Sequence, residues 1–167
     1  MMQKRVVAIH DISCFGKCSL TVALPIISAA GIETAVIPTA VLSTHTGGFK
    51  NYTVRDLSED IVPIARHWKS EGITADAVYT GYLCSKEQIY LAMEAARLIS
   101  RKNTVIITDP VMADNGRLYS GFTPDYPDFM LKLCAAADII TPNITEAALM
   151  LGVKYREGPY DSDYINA

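Results

Sequence analysis

The sequence predicts an α/β fold with a mostly parallel sheet. Two observations carry this. Short apolar, β-branched runs alternate one for one with longer segments whose apolar residues recur at three- and four-residue intervals. Each short run also ends in polar residues: His10-Asp11, His45-Thr46, Tyr82, Asp109, and Thr141 with Asn143. Strands joined by single helices pair in parallel through right-handed crossovers. Such sheets take ligands outside the carboxyl ends of their strands.

Val6 to His10 reads as the first strand. A helix follows over roughly 17–30, striped by Leu20, Ala23, Leu24 and Ile27, and Gly31 stands where a terminating glycine is expected. Pro25 should kink or split that helix. Thr34 to Val41 is the second strand, followed by a polar loop from Ser43 to Gly48. Asp56 and Glu59 have capping-box spacing ahead of Ile61, Ile64, Ala65 and Trp68, with Pro63 near that helix start. Asp76 to Thr80 is the third strand. Ser85 and Gln88 form a second capping box, for a helix burying Ile89, Ala92, Met93, Ala96 and Ile99.

Thr104 to Thr108 is the fourth strand, closing on Asp109-Pro110. Thr123-Pro124 suits the cap and first residue of a helix through about Ala136. Ile139 to Thr141 is a short fifth strand, and Asn143 opens a helix that stops near Gly152. Asp161-Ser162-Asp163 reads as another helix cap, and the chain stops inside the first turn. Residues 1–167 are therefore expected to be the N-terminal part of one longer domain.

Composition narrows the function. The net charge is −3 and no lysine–arginine cluster occurs, which excludes a nucleic-acid footprint. No apolar run reaches membrane-spanning length and no signal peptide is evident, so a cytoplasmic protein is expected. Cys14, Cys18, Cys84 and Cys134 lack paired zinc-ligand spacing and read as free thiols. Gly16-Lys17 is not a P-loop: Asp11 stands where the first glycine belongs, and Cys18 where serine or threonine should hold magnesium. No dinucleotide-binding glycine motif follows the first strand.

The chemistry-bearing residues each admit a plain structural role. Asp11 could cap a helix entry, Thr46 could steady a glycine-rich turn, and His45 could be a solvated loop residue. His10 reads as structural and His67 as a helix-surface residue. Asn143 followed three residues later by Glu146 is a capping box, which needs no ligand. A helix N-terminus also favours anions. Asp109 could form an Asp-Pro turn, but it stands directly at a strand's carboxyl end.

Five blocks carry a resemblance. They are Ala8 to Ser19 (Ala-Ile-His-Asp-Ile-Ser-Cys-Phe-Gly-Lys-Cys-Ser), Pro38 to Gly48 (Pro-Thr-Ala-Val-Leu-Ser-Thr-His-Thr-Gly-Gly), Thr80 to Ser85, Thr108 to Met112, and Thr141 to Glu146. In order and spacing they resemble the pyridoxal/pyridoxamine kinase family of the ribokinase-like superfamily. The next most similar family is the hydroxymethylpyrimidine kinase of thiamine synthesis. Asp11 stands where that sister family keeps an aspartate and many pyridoxal kinases a serine. The Ser-Thr-His-Thr and Gly-Tyr-Leu blocks favour vitamin B6.

The resemblance implies a three-layer α/β/α fold, here truncated at its C-terminus. It implies transfer of the γ-phosphoryl group of ATP to the 5′-hydroxymethyl group of pyridoxal, pyridoxamine or pyridoxine, with Mg2+. Asp11, Ser13, His45, Thr46 and Tyr82 would hold the vitamin ring. Asp109, Thr141, Asn143 and Glu146 would serve ATP, with Asp109 and Glu146 toward magnesium. Glu146→Ala is accordingly expected to weaken magnesium-dependent activity more than folding. The family's base is the aspartate of a Gly-x-Gly-Asp motif, which this sequence lacks: Gly47-Gly48 runs into Phe49 and Lys50. No residue here is assigned as catalytic, and the chain alone is expected to have little or no kinase activity. A homodimer is expected of the complete protein. The alternative from another class is a non-catalytic, flavodoxin-like protein that binds a small ligand.

Overall fold

The first strand is buried on both faces. In the computed structural model, which describes residues 3–166, β1 runs Arg5–Ser13, and Val7, Ala8 and Ile9 are each 1% exposed or less. A strand covered on both sides belongs at the centre of a parallel sheet. The elements that follow are α1 (Leu20–Ala29), β2 (Glu33–Leu42), β3 (Val54–Asp56), α2 (Ser58–Ser70), β4 (Ala75–Thr80), α3 (Lys86–Ile99) and β5 (Ser100–Thr108). Then come β6 (Ala113–Asp114), β7 (Arg117–Leu118), α4 (Tyr126–Ala135), β8 (Ile139–Ile140), α5 (Ile144–Leu151) and α6 (Ser162–Ile165).

The main sheet has the order β3-β2-β1-β4-β5-β8. All its neighbours are parallel except β3, which runs antiparallel along β2. From β1 the chain steps one way to β2, then crosses back past β1 to β4. With right-handed crossovers, that reversal puts α1 and α2 on opposite faces. The core lies on the α2 side, where Val7, Ile9, Ile37 and Val78 of the sheet meet Ile61 and Ala65 of α2, Ile89 and Ala92 of α3, and Met130 of α4. The expected α/β fold and its five parallel strands are present. β3 and the small β6–β7 hairpin are additions.

Both helix prolines are tolerated in place. Pro25 does not split α1, nor does Pro63 split α2. Each is exposed, so the backbone carbonyl it leaves unpaired can face water. The stripe expected on α1 is weaker than read: only Leu20 is buried, and Leu24 is 38% exposed.

Three caps differ from expectation. Asp56 and Glu59 do not form a box, because Asp56 is drawn into β3 and the helix cap falls on Leu57. Asp56 instead accepts from the amide of Ser58 at 2.7 Å. Thr123 donates to Asp125 at 2.6 Å, and Asp125, not Thr123, caps α4. At α3 the box is half made: Ser85 accepts from the Gln88 amide at 3.1 Å. The Gln88 side chain turns inward instead. It donates to the Thr39 carbonyl at 2.8 Å and accepts from the Cys84 amide at 3.0 Å, fully buried.

That choice ties α3 to the strand leading into the polar loop. Gln88→Leu fills similar space but leaves the Cys84 amide without its partner and the Thr39 carbonyl with only the Leu57 amide. The expected loss is about 2 kcal/mol, read as a lower midpoint in urea unfolding. An unchanged midpoint shows that water or another side chain replaces Gln88.

Candidate functional site

The reversal of strand order lies between β1 and β4, so the carboxyl ends of these strands flank a natural ligand crevice. The β1–β2 register slips there: His10 faces Pro38, but Ile12 faces Val41. Such irregularities re-aim side chains next to functional sites. Asp11 sits at the slip and is 2% exposed. One of its oxygens accepts from the Ser13 hydroxyl at 3.1 Å; the other, Oδ1, is buried without a partner. Burial pushes its carboxyl above the usual range, partly offset by the Ser19 and Ser13 hydroxyls.

The polar loop after β2 folds back onto the loop after β1. The His45 amide donates to the Phe15 carbonyl at 3.0 Å. Its Nδ1 accepts from the Gly47 amide at 3.1 Å, which leaves Nε2 to carry the proton of the neutral ring. The ring lies directly over Gly16, where any side chain would collide with it, and Gly16 also has a φ of +118°. Phe49 closes edge-on against His45, with ring centres 5.1 Å apart. Past β4, Tyr82 packs on Phe122, and burial first, then the Cys84 and Asp11 charges, pushes its phenol up to about 12.

These pieces enclose a cavity of about 570 Å³. Asp11, Ser13, His45, Thr46 and Tyr82 all line it. Its volume suits a small organic ligand. Cys18, Tyr52, Asp114 and Tyr119 also line it and were not anticipated. The sequence held a signal for two of them: Asn115-Gly116 is a tight-hairpin dipeptide. Both residues have positive φ, 51° and 75°, and they join β6 to β7. That hairpin brings Asp114 and Tyr119 to the cavity wall. His10, by contrast, is held in the fold. Its ring packs tilted against that of Tyr79, with centres 4.5 Å apart, and burial lowers its imidazole to about 4.

Asp109, Thr141, Asn143 and Glu146 form a second group that does not line this cavity. Asn143 and Glu146 make the full capping box of α5. The Asn143 side chain accepts from the Glu146 amide, and Glu146 Oε2 accepts from the Asn143 amide, both at 2.9 Å. Glu146 Oε1 also accepts from the Met112 amide at 3.1 Å, and Asn143 Nδ2 donates to the Ala113 carbonyl at 2.9 Å. The start of α5 is thereby stapled to the segment after β5. Thr141 is exposed, and its amide extends the β5–β8 pairing to Thr108.

Burial raises both Asp109 and Glu146, and the Asp109 charge adds to the effect on Glu146. The Tyr79 hydroxyl partly offsets it at Asp109. The two groups meet through the segment after β5. Val111 lines the cavity, Met112 binds Glu146, and the Tyr119 amide donates to the Met112 carbonyl at 2.9 Å. Burial, then the Asp114, Glu146 and Asp109 charges, raises the Tyr119 phenol.

Among the described residues no three His, Cys, Asp or Glu side chains come together as a complete metal cage. Two neighbouring carboxylates, of which Asp109 raises the proton affinity of Glu146, do fit one Mg2+, which commonly takes one or two carboxylates and completes its shell with phosphate oxygens and water. Asp109 fits as a direct ligand. Glu146 has both oxygens engaged by backbone amides and fits through an intervening water. Among the described residues no helix is long and apolar enough to cross a membrane, and the four cysteines are unpaired.

A family model described as phosphomethylpyrimidine kinase matches residues 23–163. The chain belongs to that family. The relatives it matches are mainly pyridoxal kinases, as the five sequence blocks implied. It is 31% identical over 157 residues to a candidate pyridoxal kinase of Schizosaccharomyces pombe, covering 90% of this chain and 49% of that one. It is 30% identical over 134 residues to pyridoxal kinase of Bos taurus, covering 74% and 42%. Among solved structures, pyridoxal kinase from Lactobacillus plantarum superposes with a TM-score of 0.85 at 35% identity, covering 96% of this chain and 56% of that one. A candidate phosphomethylpyrimidine kinase of Bacteroides thetaiotaomicron, in a form with pyridoxal, gives 0.90 at 37% identity, covering 98% and 58%. The chain spans about half the length of the curated relatives it matches. The family and the α/β architecture read from the sequence thus both stand.

Proposed function

We propose that this chain forms the vitamer-binding part of a kinase domain that transfers the γ-phosphoryl group of ATP to the 5′-hydroxymethyl group of a B6 vitamer. One observation carries the reading: side chains from β1, the loop after β2 and the end of β4 converge on a single cavity of ligand size. The kinship with pyridoxal kinases, and with a relative solved with pyridoxal, supplies the substrate class.

In this reading Asp11, Ser13 and Thr46 bond the ring substituents, while His45 and Tyr82 bound the ring. Asp109 lies toward ATP, with Thr141, Asn143 and the Glu146-capped start of α5 beside it. Mg2+, held by Asp109 and through water by Glu146, would neutralise phosphate charge. The hydroxymethyl oxygen bonds to the γ-phosphorus as the bond to ADP breaks, and the hydroxyl proton leaves to a base. Positioning and charge neutralisation make up most of such catalysis. This chain's share is positioning the vitamer and presenting carboxylates to the metal–nucleotide complex. The base belongs to a Gly-x-Gly-Asp motif that residues 1–167 do not contain. The cytoplasmic location and homodimeric assembly expected above belong to the same reading.

The test is ATP-dependent phosphorylation by the complete gene product, with pyridoxamine and 4-amino-5-hydroxymethyl-2-methylpyrimidine compared side by side. Higher kcat/KM on pyridoxamine supports the reading. Preference for the pyrimidine favours the thiamine-pathway alternative, which the family description keeps in view. Ligand binding with no ATP-dependent product favours a pure binding protein.

His45 offers a narrower check. His45→Ala removes a ring wall but no group near the phosphates. The vitamer KM should rise about tenfold, roughly the loss of one well-packed contact, with kcat little changed. An unchanged KM removes His45 from the pocket.

A further inference from the structure

The β6–β7 hairpin is a wall of the cavity, yet the main sheet does not hold it. Its strands are two residues each and form a separate two-stranded sheet. A hairpin so short has little stability of its own in water. On one side it gives the cavity Asp114 and, just past β7, Tyr119. On the other it meets the first turn of α5. Asn143 and Glu146 grip its base there, at Ala113 and Met112. The tip has different holders. Thr145 is 3% exposed, and its hydroxyl accepts from the Gly116 amide at 3.0 Å. The half-buried Tyr155, from the segment after α5, covers Gly116 so closely that a Cβ there would stand 2.5 Å from its ring. Thr145 does not itself line the cavity, so it can act there only through the hairpin.

Resting on the kinase reading above, we propose that Thr145, backed by Tyr155, is a positioning residue: it fastens the hairpin tip so that the Asp114–Tyr119 wall stands in place before the phosphoryl acceptor arrives. A wall that must be ordered during binding weakens affinity by the fraction of molecules that lack it beforehand. Thr145 also sits between Asn143 and Glu146. The cavity wall is thereby tied to the same helical turn that the kinase reading sets beside ATP.

The test compares Thr145→Val, which keeps the branched shape without the acceptor, with Thr145→Ser, which keeps the hydroxyl, in the complete gene product. Amide hydrogen exchange across residues 113–119 of the ligand-free protein reads the wall itself. Exchange should be about 3- to 10-fold faster in Thr145→Val, the scale of one lost hydrogen bond, and near wild type in Thr145→Ser. The KM for pyridoxamine should rise by the same factor in Thr145→Val, with kcat within about twofold of wild type, and Thr145→Ser should restore it.

A contact that serves stability alone lowers Tm and leaves KM where it was. Unchanged exchange in Thr145→Val, or faster exchange with an unmoved KM, overturns the proposal and leaves the kinase reading intact. Should Thr145→Val not fold, Tyr155→Leu takes its place, with the same directions expected. If the wild-type protein makes no ATP-dependent product, the kinase reading falls and the acceptor role of the wall falls with it.

Discussion

Glu146→Ala is expected to lower the stability of the chain by about 3 kcal/mol. The carboxylate is 3% exposed and accepts from two backbone amides, those of Met112 and Asn143. Alanine leaves both donors without their partner and breaks one half of the α5 capping box. For a domain of this size the loss corresponds to a fall of roughly 6–12 °C in Tm, readable by circular dichroism. The resemblance alone suggested that activity would suffer more than folding. The geometry reverses that order, because the carboxylate already does structural work before any metal arrives. Glu146→Gln keeps an acceptor for one amide but turns an NH2 group toward the other, so its Tm should fall between wild type and alanine. A Tm within a degree of wild type for Glu146→Ala would make the cap dispensable and the metal role primary.

Asp109→Asn should lower kcat of the complete gene product by about 100-fold or more, the scale on which a single charge-stabilising group acts in transfer reactions. Asparagine preserves the shape of the Asp109-Pro110 turn and removes only the charge. Asp109 is half-buried at the end of β5, and its amide donates to the Thr80 carbonyl, so its backbone is fixed independently of its side chain. The vitamer KM should change little, because Asp109 does not line the cavity that Asp11 and Tyr82 share. Raising Mg2+ should recover part of the lost rate. Normal kcat in the variant leaves Asp109 as a turn former only.

Much of this was legible because strand periodicity and turn chemistry are local. Val6 to His10 is an apolar run that emerges as the central strand, and Asn143 with Gly152 marks both ends of α5. Parallel pairing then placed the five polar turns at one edge by topology alone. Competing local interactions explain the errors. Asp56 looks like a cap in sequence, but its pairing with Ala40 makes it part of a strand. Gln88 looks like half of a capping box, but a buried carbonyl at Thr39 claims its amide. Neither rival is visible within a few residues of the motif. The division of the site into a ligand-sized cavity and a separate Asp109–Glu146 group was likewise hidden. It depends on the Asn115-Gly116 hairpin, whose signal was present but which leads to the cavity only in three dimensions.

Central to this account is that Asp11, Thr46 and Tyr82 face one ligand ring. A crystal of this chain soaked with 4-deoxypyridoxine tests it most directly. The account predicts ring density within the cavity, with a ring heteroatom inside hydrogen-bond distance of the Asp11 carboxylate. Density for the ring outside that cavity, or a ring inside it that turns only carbon toward Asp11, contradicts it.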